Sequence, residues 1–391
     1  MHQARQTRAS THERMHGHER VRLWEADRHM ATYRVGVIGC GSIGRAHAHG
    51  WTKNDRTELV ALADITPAAR DEFGEEFGVP EKGRYADFRE MVEKEKPDIV
   101  SVCLWHGQHA STVVAVAALR PKLILCEKPM ATSLGEAEQM IVAAKRNKVR
   151  LAVGHQRRFL PGWNIARDLV AEGAIGKVTH LWSNVADGLL NWGTHTIDMM
   201  RFIMGDPDAT AVVGAVQRDS DRYERGLRIE DSCLGLIQFA NGAQATIQSD
   251  LTARETASIN CNFYGTEGVI QVDENAVRMM NATTNGWKQL STWEWKDSFR
   301  DAFLAQSVGI ADWLDDTVEE YRGEAKNAYA VMEIMMALYE SARMKEVTKI
   351  PMLTRDNPLD MMVDSGDLPV RRPGKYDIRS SHVRGEGMSW V

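Results

Sequence analysis

The chain has 391 residues, 43% of them hydrophobic, which suits a water-soluble protein with a full core and room for two domains. Its formal net charge of -6 supplies no basic field for nucleic acid and no cationic face for a membrane surface, and no apolar run is long enough to cross a bilayer. Five scattered cysteines, Cys40, Cys103, Cys126, Cys233 and Cys261, form no C-x-x-C or His/Cys cluster, so neither a disulfide frame nor a metal site is indicated and the cytoplasm is the default location.

Residues 1–29 are rich in Arg and His and lack the apolar region of a secretory signal. They read either as a basic arm, poorly ordered or crossing onto a neighbouring subunit, or as upstream sequence before a natural start at Met30. Residues 33–38 form an apolar strand that runs into Gly39-Cys40-Gly41-Ser42-Ile43-Gly44, with a helix over 43–53. G-x-G-x-x-G between a strand and a helix is the context a dinucleotide site requires. Gly39 permits the tight turn, Gly41 lets the backbone approach a pyrophosphate, Gly44 lets helix and strand pack closely, and the N–H groups around Ser42 and Ile43 face the phosphates. A second strand, 58–63, ends at Asp64, 20 residues past Gly44, where a carboxylate accepts bonds from ribose hydroxyls and repels a 2′-phosphate. That favours NAD over NADP.

The alternation continues with a helix over 67–77 that has Pro at its start, a short strand at Tyr85, and a helix capped by Asp87 that runs to Lys94. A buried strand over 99–104, a helix over 108–119, a strand over 123–126 ending at Glu127-Lys128-Pro129, a helix capped by Ser133 and a strand over 151–153 complete it. Continuous apolar strands alternating with helices predict a doubly wound parallel sheet. After Gly154 the pattern changes: helices over 163–172 and 192–204, and strands over 178–185, 212–217, 232–239, 243–249 and 258–264, with Asn241-Gly242 as a hairpin turn. These predict an α+β second domain with a largely antiparallel sheet. Two late helices, 299–321 and 325–343, pack against the domains, the Met-rich run 331–336 being helix core. The polar, Pro/Gly/Arg-rich remainder reads as an extended tail, with a subunit-clasping arm as an alternative.

The dinucleotide motif, Glu127-Lys128-Pro129 and Gly193-Thr194-His195-Thr196-Ile197-Asp198 together resemble the Gfo/Idh/MocA family, that of glucose–fructose oxidoreductase and inositol dehydrogenase. His155-Gln156-Arg157-Arg158-Phe159 and Gly265-Thr266-Glu267-Gly268 also look like it. The resemblance implies a Rossmann domain plus a domain with an open-faced sheet that often mediates oligomerisation, and NAD(P)-dependent redox chemistry on a sugar, cyclitol or similar polyol. The domains are then a basic N-terminal arm over 1–32, a Rossmann NAD-binding domain over 33–155, a substrate-binding and oligomerisation α+β domain over 156–350, and a C-terminal tail over 351–391. A dimer or tetramer formed through the second domain's sheet is expected.

Hydride transfer needs a group that removes or returns the hydroxyl proton. Lys128 stands at the C-terminal end of a parallel strand, where such sheets bind ligands, and the residue before a proline is kept out of a helix. The resemblance implies a cis Lys-Pro bond that aims Lys128 at the substrate hydroxyl, with Glu127 and Lys128 facing the nicotinamide. His195, which titrates near neutral pH, is the proton-transfer candidate. Asp198, one turn on, either orients His195, pairs with Lys128 or is an exposed helix carboxylate. Relatives often carry an aspartate four residues before the histidine. Here it is Asn191, which bonds a hydroxyl or caps a helix but is no base, and Asp187 is the nearest substitute. The loop Leu104-Trp105-His106-Gly107-Gln108-His109 departs from the Thr-Pro of many relatives: His109 matches their histidine, and Trp105 either walls the nicotinamide, stacks on a sugar or packs the loop. Arg157 reaches a substrate's polar group or makes a salt bridge. Trp293-Glu294-Trp295 is a sugar platform or a half-buried strand edge. The leading function is an NAD-dependent dehydrogenase of sugars or polyols. The alternatives are a redox-neutral glycoside hydrolase, lyase or epimerase working through a transient keto-sugar, and a non-enzymatic nucleotide sensor, which would need neither Lys128 nor His195.

Overall fold

The computed structural model describes residues 32–250 and 260–378. The N-terminal arm therefore lies outside the described residues, as does the start of the strand expected at 258.

The first domain alternates strand and helix in chain order. It runs β1 (Tyr33–Ile38), α1 (Ser42–Lys53), β2 (Thr57–Ala63), α2 (Pro67–Phe77), β3 (Arg84–Tyr85), α3 (Phe88–Glu95) and β4 (Ile99–Val102). It continues α4 (His109–Ala118), β5 (Leu123–Cys126), α5 (Leu134–Asn147) and β6 (Arg150–Val153). The six strands pair in parallel in the order β3-β2-β1-β4-β5-β6, the doubly wound order with its switch point between β1 and β4. Every residue of β4 and β5 is buried, as a parallel sheet covered on both faces demands. The Asp87 side chain caps α3 through the Arg89 N–H, and Ser133 caps α5 through the Glu136 N–H.

After α6 (Pro161–Ala171), β7 (Val178–Val185) and α7 (Thr194–Ile203), the chain builds a second sheet. Its strands are β8 (Ala209–Gln217), β11 (Ser232–Phe239), β12 (Gln244–Ser249), β13 (Cys261–Gly265), β14 (Gly268–Val272), β15 (Ala276–Asn281), β16 (Lys288–Thr292) and the edge pair β17 (Thr348–Lys349). With β7 they make nine strands in the order β16-β15-β14-β13-β7-β12-β11-β8-β17. All neighbours are antiparallel except β7 and β12. Gly242, at φ +90°, turns the β11–β12 hairpin. A further small sheet holds β9 (Ser220–Glu224) and β10 (Leu227–Arg228).

Helix α8 (Trp295–Leu314) returns to pack on α1, and its residues Ile310 and Ala311 join the Rossmann core around Val35, Val37 and Trp51. Arg56 pairs with Asp312 and Asp315 at this junction. Helix α9 (Ala325–Met344) crosses β8 with Val331 to Met336 all buried, Glu333 included, as the helix-core reading expected. The extended-tail expectation for 351–391 is corrected over its described part. The segment forms α10 (Pro358–Asp364), capped by Asn357 through the Leu359 N–H, and β18 (Arg372–Asp377). β18 pairs in parallel with β9 of the same chain, completing a three-stranded sheet in the order β10-β9-β18.

Candidate active site in the interdomain cleft

The turn after β1 is shaped by its glycines. Gly39 sits at φ +97°, and a Cβ on Gly44 would lie 2.0 Å from the Gly39 carbonyl oxygen, so only hydrogen fits there. A Cβ on Gly41 would meet nothing within 4 Å, which leaves bare backbone and the free N–H groups of α1, beside half-buried Ser42 and Ile43, open to a phosphate. Asp64 stands beside this turn at the end of β2: Oδ2 accepts the Cys40 N–H at 2.9 Å and Oδ1 the Thr66 N–H at 2.8 Å. Each oxygen keeps a lone pair for a ribose hydroxyl. The open cradle and the fixed carboxylate fit a dinucleotide.

At the end of β5 the Lys128-Pro129 bond is cis, as the resemblance implied. Lys128 Nζ donates to Asn191 Oδ1 and to the Asn191 carbonyl, both at 3.2 Å. Lys128 comes from the first domain and Asn191 from the second, so the pair bridges the cleft. Burial draws the ammonium down to about 8; Glu127 opposes this, Arg225 adds to it, Glu224 opposes it and Arg157 adds to it. Asn191 lies in a π-helical turn, Leu189–Gly193, where the sequence reading began a regular helix. That turn is held by Glu230, whose Oε1 accepts the Leu189 N–H at 2.5 Å and whose Oε2 accepts the Tyr339 hydroxyl at 2.6 Å.

His195, the second residue of α7, is buried, and its Nδ1 has no hydrogen-bond partner among the described residues. Its ring lies 6.1 Å from the rings of His155 and Trp192. Burial, then Lys128, Arg157 and His155, push it far below the ordinary imidazole value, so the ring is neutral.

Three sequence expectations change here. Asp198 neither orients His195 nor pairs with Lys128, and it is not exposed. Its carboxylate is gripped by Arg158, at 2.9 and 3.0 Å from Nε and 2.6 Å from Nη2, and lies 3.5 Å from His155 Nδ1. Every residue of α7 is buried, so one turn beyond His195 the helix faces protein and not the cleft. Glu127 faces inward: Oε1 bonds His47 Nε2 at 3.0 Å, and His47 Nδ1 reaches Ser101 Oγ at 3.2 Å. Burial works against the Glu127 carboxylate, but His47 and then Lys128 hold its carboxyl below the ordinary value. His109 is fully buried, with its ring nitrogens on the Leu104 carbonyl at 2.9 Å and the Pro129 carbonyl at 2.8 Å. It ties the β4–α4 loop to the lysine loop and presents no nitrogen to a cofactor. Asp187 sits at φ +60° in a charged cluster with Arg222, 3.7 Å away, and Asp250, whose Oδ1 accepts its N–H, so its carboxylate faces a cation as well as the site.

Trp105 is 37% exposed at the head of the loop, which leaves its face open. Arg157 makes the salt bridge, Nη1 to Glu274 Oε1 at 2.6 Å, with its guanidinium 5.5 Å from the Trp192 ring. Trp293 is a packed edge residue: its indole N–H bonds the Glu274 carbonyl at 2.7 Å and its ring fills the space above Gly162. Residues not singled out in the sequence also matter. His47 follows Gly44 by three on α1, and Glu224 and Arg225 stand at a turn whose signal, Arg-Gly between short polar strands, is weak.

Comparison with known proteins agrees with this fold. Residues 33–155 match the Gfo/Idh/MocA oxidoreductase family, NAD-binding Rossmann fold, and residues 183–351 match that family's C-terminal alpha/beta domain. The chain is 27% identical over 342 residues to inositol 2-dehydrogenase 3 of Saccharopolyspora erythraea, covering 84% of this chain and 97% of that protein. It is 26% identical over 369 residues to D-apiose dehydrogenase of Paraburkholderia graminis, covering 87% and 95%. A crystal structure of an Agrobacterium radiobacter oxidoreductase in complex with NAD+, L-tartaric acid and magnesium shares the fold, with TM-score 0.70 and 21% identity over 82% of this chain and 99% of that one.

Proposed function

From the premise that this chain belongs to the Gfo/Idh/MocA oxidoreductase family and carries its NAD-binding domain, we propose that Lys128 and His195 handle the hydroxyl proton as a sugar or sugar-like polyol is oxidised. The observation that carries this reading is a lysine held across the cleft by Asn191, near a neutral histidine with an unpartnered buried nitrogen. Bound NAD supplies the acceptor for the hydride. Lys128 spends two of its three N–H bonds on Asn191, which fixes Nζ and leaves one direction for a substrate oxygen. As a neutral amine, Nζ accepts the hydroxyl proton; as an ammonium it holds the oxygen as it becomes a carbonyl. His195, already neutral, takes up a proton without first releasing one. Asn191, Asp187, Arg157 and Trp105 line or support the substrate side, with Asp198 acting at one remove through Arg158 and His155.

The test is NADH absorbance with purified protein, NAD and a panel of inositols, aldoses and glycosides, with products followed in parallel. Oxidation requires the neutral amine, so on a productive substrate kcat/KM should rise about tenfold per pH unit from acid toward pH 8 and level above it. A flat profile between pH 6 and 9 would remove Lys128 as the base. Glycoside cleavage or epimerisation without net NADH would replace the dehydrogenase by a redox-neutral reaction.

The chain is also proposed to assemble with itself through the second sheet. Val213, Leu234 and Leu236, on adjacent strands β8 and β11, are 43%, 41% and 52% exposed, and Tyr264 and Met280 extend the apolar face. A second copy would remove these side chains from water. Leu236→Glu with Leu234→Glu should convert the assembly to monomers in light scattering, and a wild-type monomer would refute the assembly. The five buried thiols and absence of a disulfide fit a reducing compartment.

A further inference from the structure

The hairpin of β9 and β10 belongs to the second domain, yet it reaches back to the first. Arg225 and Gly226 form its two-residue turn, with φ of +47° and +80°, and Glu224 pairs with Leu227 across it. The C-terminal segment braces the hairpin on two sides. Asp377 of β18 accepts both turn N–H groups, Arg225 N at 3.2 Å and Gly226 N at 2.8 Å. Arg228 of β10 pairs with Asp360 and Asp364 of α10 at 3.3 and 2.8 Å.

The tip meets the β4–α4 loop. Glu224, its side chain 1% exposed, lies with Oε2 3.2 Å from His106 Nδ1, in contact but without a hydrogen bond, and pairs with the Arg225 guanidinium. Arg225 Nη1 lies 3.5 Å from His106 Nε2. A Cβ on Gly107 would stand 3.6 Å from Leu227, so the hairpin lies flush on the loop. His106 is buried, and burial, Arg225, Lys128 and His109 keep it neutral. The same loop is tied through His109 to Pro129, next to Lys128.

We infer that Glu224 and Arg225 are positioning residues for Lys128, holding the lysine wall of the cleft through His106 and setting the charge in which that lysine works. The inference rests on the reading of Lys128 as the proton-handling group. The charged and titratable groups around Lys128 are Glu127 at the same strand end, Arg225 and Glu224 on the hairpin, Arg157 after β6, and His195, His155, His106 and His109. The two tip residues act on it with opposite sign.

The experiment is acetylation of the full-length protein with acetic anhydride across pH, read by mass spectrometry of the peptide that contains Lys128. Loss of the repelling cation in Arg225→Met should move half-labelling of Lys128 to higher pH, and loss of the attracting carboxylate in Glu224→Gln should move it lower, each by roughly half a unit or more. General loosening of the cleft would hydrate Lys128 and move both upward. Two shifts of the same sign, or none, therefore overturn the inference. If Glu224→Gln does not fold, Arg225→Met, at the partly exposed tip, is paired with Asp377→Ala. Asp377→Ala should raise KM for a productive polyol about threefold or more with kcat held within about twofold, and an unchanged KM overturns the clamp. Opposite labelling shifts in a protein that forms no NADH from any polyol would leave this inference standing and remove the dehydrogenase reading. NADH formation without the shifts would do the reverse.

Discussion

Lys128→Met loses turnover by a factor of about 10³ or more while binding NAD within about twofold of wild type. Methionine keeps the length and apolar stem but offers no N–H to the substrate oxygen or to Asn191, whose two oxygens lose their 3.2 Å partner. The cradle proposed for NAD, Gly39 to Gly44 and Asp64, lies on the far side of the first domain's switch point and is untouched. Unfolding does not explain the loss. Burial lowers the folded ammonium from 10.5 to about 8, so between these values the native state holds fewer protons than the unfolded chain and stability rises with pH. Below pH 8 the wild type carries the full cost of that buried charge, and methionine carries none. Steady-state turnover, isothermal titration with NAD and a thermal melt at pH 7 check the three parts. Turnover within tenfold of wild type would take Lys128 out of the chemistry.

The second large effect is on stability. Asp198→Ala should destabilise the fold by about 3–5 kcal/mol, because it leaves the fully buried Arg158 guanidinium without its principal partner. Asp206, which accepts from Arg158 Nη2 at 2.8 Å, is more exposed and also serves Arg167, so it compensates in part. Chemical denaturation measures the loss. Turnover per folded molecule should stay within about tenfold, since the Asp198 carboxylate is occupied by Arg158 and does not reach Lys128. A variant of native stability, or a stable variant with collapsed turnover, would return Asp198 to the catalytic group. Asp198→Asn keeps the shape and one acceptor and should lose less.

Features that depend on local rules were legible. The helix Pro67–Phe77, the strand Leu123–Cys126 and the Ser133 cap were placed by Pro, an apolar run and a hydroxyl before a helix. The strands β14 and β15 were missed although Ile270, Val272, Val277 and Met279 alternate inward, and the edge strand β16 was missed because Lys288–Thr292 holds a single apolar side chain and an edge strand is held by backbone pairing on one side. For the same reason the C-terminal strand read as tail: Arg372 to Asp377 carries no apolar alternation and is held by its pairing with β9.

The sequence by itself determined the dinucleotide half of this protein. The glycine spacing, the carboxylate at the end of the second strand and the lysine before proline each act through the residues beside them. Only the tertiary structure decided which polar side chains remain for chemistry. Asp198 is claimed by Arg158, 40 positions away, and Glu127 by His47, 80 away. His109 is claimed by the carbonyl of Pro129. A buried charge or ring nitrogen takes the partner that packing brings to it, and that partner is set by how the two domains close on each other. Among the described residues, His195 Nδ1 was left unpartnered by the same closure, and Lys128 was left with one N–H to give.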